Sequence, residues 1–125
     1  TLSESTILTG VISLNLERNS IGDEGVRSLS LSPLFSHLTV LNLWKNQVGS
    51  EGAKAIADSF ILSNLQRLDL AHNSIGDDGG KALAESQTLT SLKYVDLFGN
   101  GIGEGTQATL KESLNFKNLQ HLVLE

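Results

Sequence analysis

One pattern constrains this chain more than any other: an apolar spacing that returns every 27 residues. Val11, Leu14, Leu16, Asn19 and Ile21 set it; adding 27 gives Leu38, Leu41, Leu43, Asn46 and Val48. Further steps give Leu65, Leu68, Leu70, Asn73 and Ile75, then Leu92, Val95, Leu97, Asn100 and Ile102, and last Leu119, Leu122 and Leu124. A period in this range means one supersecondary unit stacked on copies of itself. Each unit contacts only its neighbours, so the 125 residues count units and do not enclose one central core.

The unit has two halves. In the first, the alternation of Leu14 and Leu16 with Ser13, Asn15 and Glu17 predicts a short strand with one apolar face. The second half reads as a helix, opening at Gly22-Asp23-Glu24-Gly25, Gly49-Ser50-Glu51-Gly52, Gly76-Asp77-Asp78-Gly79 and the altered Gly103-Glu104-Gly105-Thr106. Asp23, Ser50 and Asp77 are the expected N-caps, and the acidic residues after them suit a positive helix end. Leu29, Ile56, Leu83 and Leu110 form one helical column, and Val26, Ala53 and Gly80 a second, from which Gln107 departs. Pro33 is expected to end the first helix by Ser32. Strands regularly separated by helices imply a parallel sheet. Strands sit about 4.8 Å apart and helices about 10 Å, so the array should bend with strands inside and helices outside.

The expected domain is one α/β solenoid over residues 1–125, with four complete units and partial ones at both ends. Leu2 and Leu8 already fit helical columns of an earlier unit, and no polar cap is visible at either end. That pattern reads as a fragment or a domain from a longer array, and its open edges are an expected route to self-association.

The L-x-x-L-x-L-x-x-N-x-L pattern, with the openings Ile21-Gly22-Asp23-Glu24-Gly25 and Ile75-Gly76-Asp77-Asp78-Gly79, resembles the ribonuclease-inhibitor-like class of leucine-rich repeats. That class also occurs in Ran GTPase-activating proteins, NOD-like immune receptors and bacterial effectors. The resemblance covers essentially the whole chain. This chain departs in having a slightly shorter repeat than is usual for the class and in lacking the cysteines of ribonuclease inhibitor itself. The resemblance implies a right-handed βα horseshoe segment with its parallel sheet on the concave face and helices on the convex face. It also implies a non-enzymatic module that binds a protein partner through the concave strands and adjoining loops. Two further readings follow from it. One is a regulatory or ligand-sensing segment of a larger receptor or effector, touching another domain of its own chain. The other is GTPase activation.

Composition narrows the partners. Net charge is −5, and no basic stripe in the sequence would neutralise a nucleic-acid backbone. No apolar run approaches the roughly 18 residues a membrane span needs. The chain has no cysteine, and neither Asn19-Ser20-Ile21 nor Asn73-Ser74-Ile75 completes a glycosylation motif. An intracellular setting is expected, or a host cell if the chain is a bacterial effector. No cofactor or metal is expected. His37, His72 and His121 fall in different columns, and Gly76-Asp77-Asp78-Gly79-Gly80-Lys81 is one residue short of a phosphate-binding loop, with Ala82 where Ser or Thr is required. Asp69 and Asp96 would lie on an open face, which argues against their acting as a catalytic pair.

Function is expected in the positions that vary. Parallel strands in register stack them into columns: Ser13, Val40, Arg67, Tyr94 and His121; Asn15, Asn42, Asp69, Asp96 and Val123; Glu17, Trp44, Ala71, Phe98 and Glu125; and, at the rim, Arg18, Lys45, His72 and Gly99. Trp44 and Phe98, with Ala71 between, predict a slot about 10 Å wide with aromatic walls. The other reading is that the two rings cover their neighbours. Asp69 and Asp96 are adjacent like charges, read either as a seat for a partner's Lys or Arg or as a solvated face. The expected partner-binding set is Trp44, Phe98, Tyr94, Asp69, Asp96, Arg67, Asn42, Glu17 and His121. The Asn19, Asn46, Asn73 and Asn100 column is expected to be structural, satisfying backbone groups at the turn.

Overall fold

A computed structural model describes residues 12–113 and 119–124. Columns reach beyond these residues through Leu2, Leu8, Val11 and Glu125, and those positions lie outside the described set. Five strands, β1 (Ser13–Asn15), β2 (Val40–Asn42), β3 (Arg67–Asp69), β4 (Tyr94–Asp96) and β5 (His121–Val123), form one parallel sheet in chain order. Among the described residues, four α-helices lie between them: α1 (Gly22–Leu31), α2 (Ser50–Ala57), α3 (Gly76–Ala84) and α4 (Glu104–Lys111). Helices pack on the next helix and strands on the next strand, as a solenoid requires. The register steps by 27 residues across the sheet, pairing Leu14 with Leu41, Leu41 with Leu68, Leu68 with Val95 and Val95 with Leu122.

The apolar columns fill the space between sheet and helices. Leu41, Leu68 and Val95 point inward from the strand centres, joined by Leu43, Leu70 and Leu97 and, from the helices, Val26, Ala53, Ile56 and Leu83. Leu14 and Leu16, on the first strand, are only half-buried. Helix α1 ends at Leu31, and Pro33 opens a 3₁₀ turn (Pro33–Phe35), as its missing N–H predicts.

The asparagine column is structural. Asn73 Oδ1 accepts from the N–H groups of Asn46 (2.8 Å) and Val48 (2.9 Å), and its Nδ2 donates to the carbonyls of Leu43, Leu70 and Ala71. Asn46 and Asn100 repeat the arrangement one unit either side. One amide thus serves backbone groups of two units, at depths where unmet partners are costly.

Capping differs from the expectation. None of the four helices has a side-chain cap at its own N-cap position. Asp23 lies inside α1, and its Oδ1 accepts from the N–H groups of Gly49 (2.7 Å) and Gly52 (3.0 Å), at the start of α2. Asp77 in α3 accepts from Gly103 N–H at the start of α4, at 2.7 Å. Stacking brings the next helix's free N–H groups within reach, so the acid caps its neighbour. That hydrogen bond is the main cause holding the exposed Asp77 carboxyl below the ordinary carboxylate range, with Thr106 and Lys81 adding to it.

The other helix ends are stitched in the same way. Ser59 donates to the Ser30 carbonyl and Ser86 to the Ala57 carbonyl, both at 2.6 Å, and Ser113 donates to Ala84. These carbonyls lie in or beside the last turn of their helices, where the helix's own hydrogen bonds run out. The serines recur at 27-residue spacing, a column with the same period as the leucines.

Candidate functional site

The expected site residues sort into three rows across the strands. The middle row is Asn15, Asn42, Asp69 and Asp96, cross-paired along the sheet. Each oxygen turns back on its own chain: Oδ1 accepts the N–H two residues on, of Glu17 (3.1 Å), Trp44, Ala71 and Phe98 (each 3.0 Å). This is the Asx turn, available to Asn and Asp alike, and it gives Asp69 and Asp96 a structural task that neither sequence reading assigned. Asn42 also donates to Glu17, at 3.3 Å. Burial pushes the Asp69 carboxyl up from its ordinary value; the Asp96 charge adds to this, while the Ala71 N–H and Arg67 oppose it.

A second row is built on Tyr94. The Arg67 guanidinium lies over the Tyr94 ring, 4.0 Å from its centroid, and His121 stands on the other strand at 6.1 Å. Desolvation raises the Tyr94 phenol above its ordinary value, and the phenol points at Asp96, 3.5 Å away. Cation–π contact of this kind fixes a long side chain that would otherwise sample many rotamers.

The third row corrects the slot. Trp44 and Phe98 do lie two strands apart with Ala71 between, but His72 fills the space. Its ring stands edge-on to Trp44 at 5.5 Å and to Phe98 at 5.4 Å. Ala71 is buried and only a methyl long, which leaves the room; the left-handed backbone at His72 (φ 58°) turns the imidazole into it. Gly99 keeps that room open, since a Cβ there would come within 3.1 Å of the imidazole. Arg18 extends the row at the other end, 4.9 Å from the Trp44 centroid. The result is a continuous strip, Arg18, Trp44, His72 and Phe98, with Phe98 still 41% exposed.

Of the expected residues, the structure links Trp44 to Phe98 only through His72, joins Tyr94 with Arg67 and His121, and ties Asn42, Asp69 and Asp96 to their own backbone. The reading missed His72 and Arg18 as members of the aromatic strip. Both stood in the rim column, so the signal was the contact between adjacent columns, which strand periodicity alone does not give.

Among the described residues, no group of three His, Asp or Glu side chains has the arrangement of a metal site, and no helix is long and apolar enough to cross a membrane.

A family model described as Leucine Rich repeat matches residues 11–30, 36–57, 62–84 and 88–104. No curated protein matches the chain in sequence. Among solved structures, the chain is similar to Leiomodin-1 Actin-Binding Site 2 (ABS2), with a TM-score of 0.73 over 90% of this chain and 69% of that one. The identity is 17%, so the likeness is one of fold.

Proposed function

The chain belongs to the leucine-rich repeat family, and from that premise we propose that it is a non-enzymatic module binding a protein partner through its strand face. The observation that carries the reading is the pair of aromatic rows on the strand face, the Trp44–His72–Phe98 strip and the Tyr94 row. A chain with one Trp, one Tyr and four Phe spends Trp44, Tyr94 and Phe98 on the strand face outside the apolar core. Trp, Tyr and Arg are the residues that most often dominate binding energy, and here Arg18 and Arg67 lie against Trp44 and Tyr94. The rings are held by their neighbours before any partner arrives, which lowers the ordering cost of binding. The Ile-Gly-Asp-Glu-Gly helix opening supports a place in the ribonuclease-inhibitor-like class. The leiomodin structure, titled an actin-binding site, is a precedent for protein binding on this fold.

The test is a partner capture compared between wild type and Trp44→Ala/Phe98→Ala, followed by calorimetry on the protein that is lost. Trp44→Ala is expected to weaken that binding by about 2 kcal/mol or more while the variant unfolds cooperatively like wild type. Unchanged affinity in the folded single variant removes Trp44 from the site.

A further inference from the structure

The rim beside the aromatic strip carries a second surface. Arg18, Lys45 and His72 form a column one unit apart, and Ser20, Gln47 and Ser74 form another two residues on. A groove of about 520 Å³ runs between them, floored by the buried Asn73. All six flanking residues are exposed. The groove is lined without a single carboxylate, in a chain that has 14 Asp and Glu against 9 Lys and Arg.

The backbone gives an independent reason to single it out. Arg18, Lys45 and His72 have φ of 60°, 55° and 58°, and Ser20 and Gln47 have 52° and 63°. Residues with a Cβ adopt this left-handed region at a cost that glycine avoids. The fourth unit shows the inexpensive solution, with Gly99 (φ 73°) and Gly101 (φ 68°) in the same two columns. The fold therefore does not require side chains there. Strain kept where the scaffold could do without it points to a use.

We propose that this groove binds a short acidic segment of a protein partner, an extended stretch presenting two or three Asp or Glu side chains. Two cations, Arg18 and Lys45, stand on adjacent units, the His72 imidazole follows on the next, and the column stops at Gly99. Glu17, Asp69 and Asp96 belong to the strand side of the array and do not line the groove. The groove offers two cations to match two or three carboxylates, while the net charge of −5 opposes a long polyanion, which favours an acidic peptide over a nucleic acid. Arg18 is already oriented by the Trp44 ring, and the hydroxyls and amide of the second column offer neutral donors to the peptide's oxygens. This goes beyond the strand-face reading: it names an adjoining groove, which shares Arg18 and His72 with the aromatic strip, and the chemistry of what it takes.

The experiment is an amide-resolved NMR titration of the chain at low salt with amidated tetraglutamate, tetraglutamine and a six-nucleotide thymidylate. Tetraglutamate is expected to give saturable shifts centred on Lys45, Gln47 and Ser74. Lys45→Gly should weaken it at least tenfold while melting no lower than wild type, since glycine suits the local backbone. Lys111→Gln, an exposed helix charge on α4, should change affinity less than twofold. Tetraglutamine binding as well as tetraglutamate, thymidylate binding more tightly, equal losses in the two lysine variants, or no saturable shift would each overturn the proposal. Any of these would leave the strand-face reading to its own test.

Discussion

Asp69 shows how one side chain is asked to do two conflicting things. As the acceptor of its Asx turn it must keep an oxygen on the Ala71 N–H, and as a half-buried charge beside Asp96 it is electrostatically disfavoured. Its raised folded-state pKa means that the folded chain holds more protons than the unfolded one between the ordinary and the raised value. Stability from this group is therefore present in acid and falls as pH rises through that window. Asp69→Asn keeps the acceptor, as Asn42 does one strand away, and removes the charge. A gain of about 0.5 kcal/mol at pH 7 is expected from urea unfolding, shrinking to nothing in acid below the ordinary carboxylate range. A loss at pH 7 would mean that the carboxylate, and not the turn, is what position 69 requires.

At the scale of elements, each helix depends on its neighbours for its ends. Asp23 supplies the start of α2, and the serine column supplies the ends of α1, α2 and α3. Helices of 8 to 10 residues are too short to persist alone, so this exchange matters more than propensity. Asp23→Ala should cost about 1 kcal/mol, the usual worth of a cap. Hydrogen exchange should quicken at Gly49 and Gly52 in the next unit, and not in the first turn of α1. Faster exchange confined to α1 would show that Asp23 serves its own helix after all.

For the whole molecule, cohesion is a sum of interfaces between neighbouring units, and position along the array sets what a change costs. Asn73 is buried in the middle and joins two units through five hydrogen bonds. Asn19 is exposed near the first strand, and its amide serves the carbonyls of Leu16 and Glu17. Asn73→Ala should cost about 3 kcal/mol or more, because it leaves buried backbone groups unmet. Asn19→Ala, where water replaces the lost partner, should cost about 1 kcal/mol or less. Chemical denaturation of both variants measures the contrast, and equal losses would deny that the ladder's worth depends on burial.

Read along the chain, the 27-residue period determined a great deal by itself. It set which residues face the core, the order and parallel sense of the strands, the register of every column, and the structural task of the asparagines. It could do so because stacked identical units convert sequence spacing directly into spatial adjacency. The serine column carried the same signal and was overlooked among commoner polar residues. What only the tertiary structure decided lies between columns and between units. His72 closes the space between Trp44 and Phe98, Asp23 caps a helix other than its own, and Asp69 and Asp96 bend back to their own strands. Periodicity says which residues stand side by side in one column. It does not say which way a side chain turns at a left-handed residue, or which neighbouring unit holds the nearest unpaired N–H, because both depend on how closely the units stack.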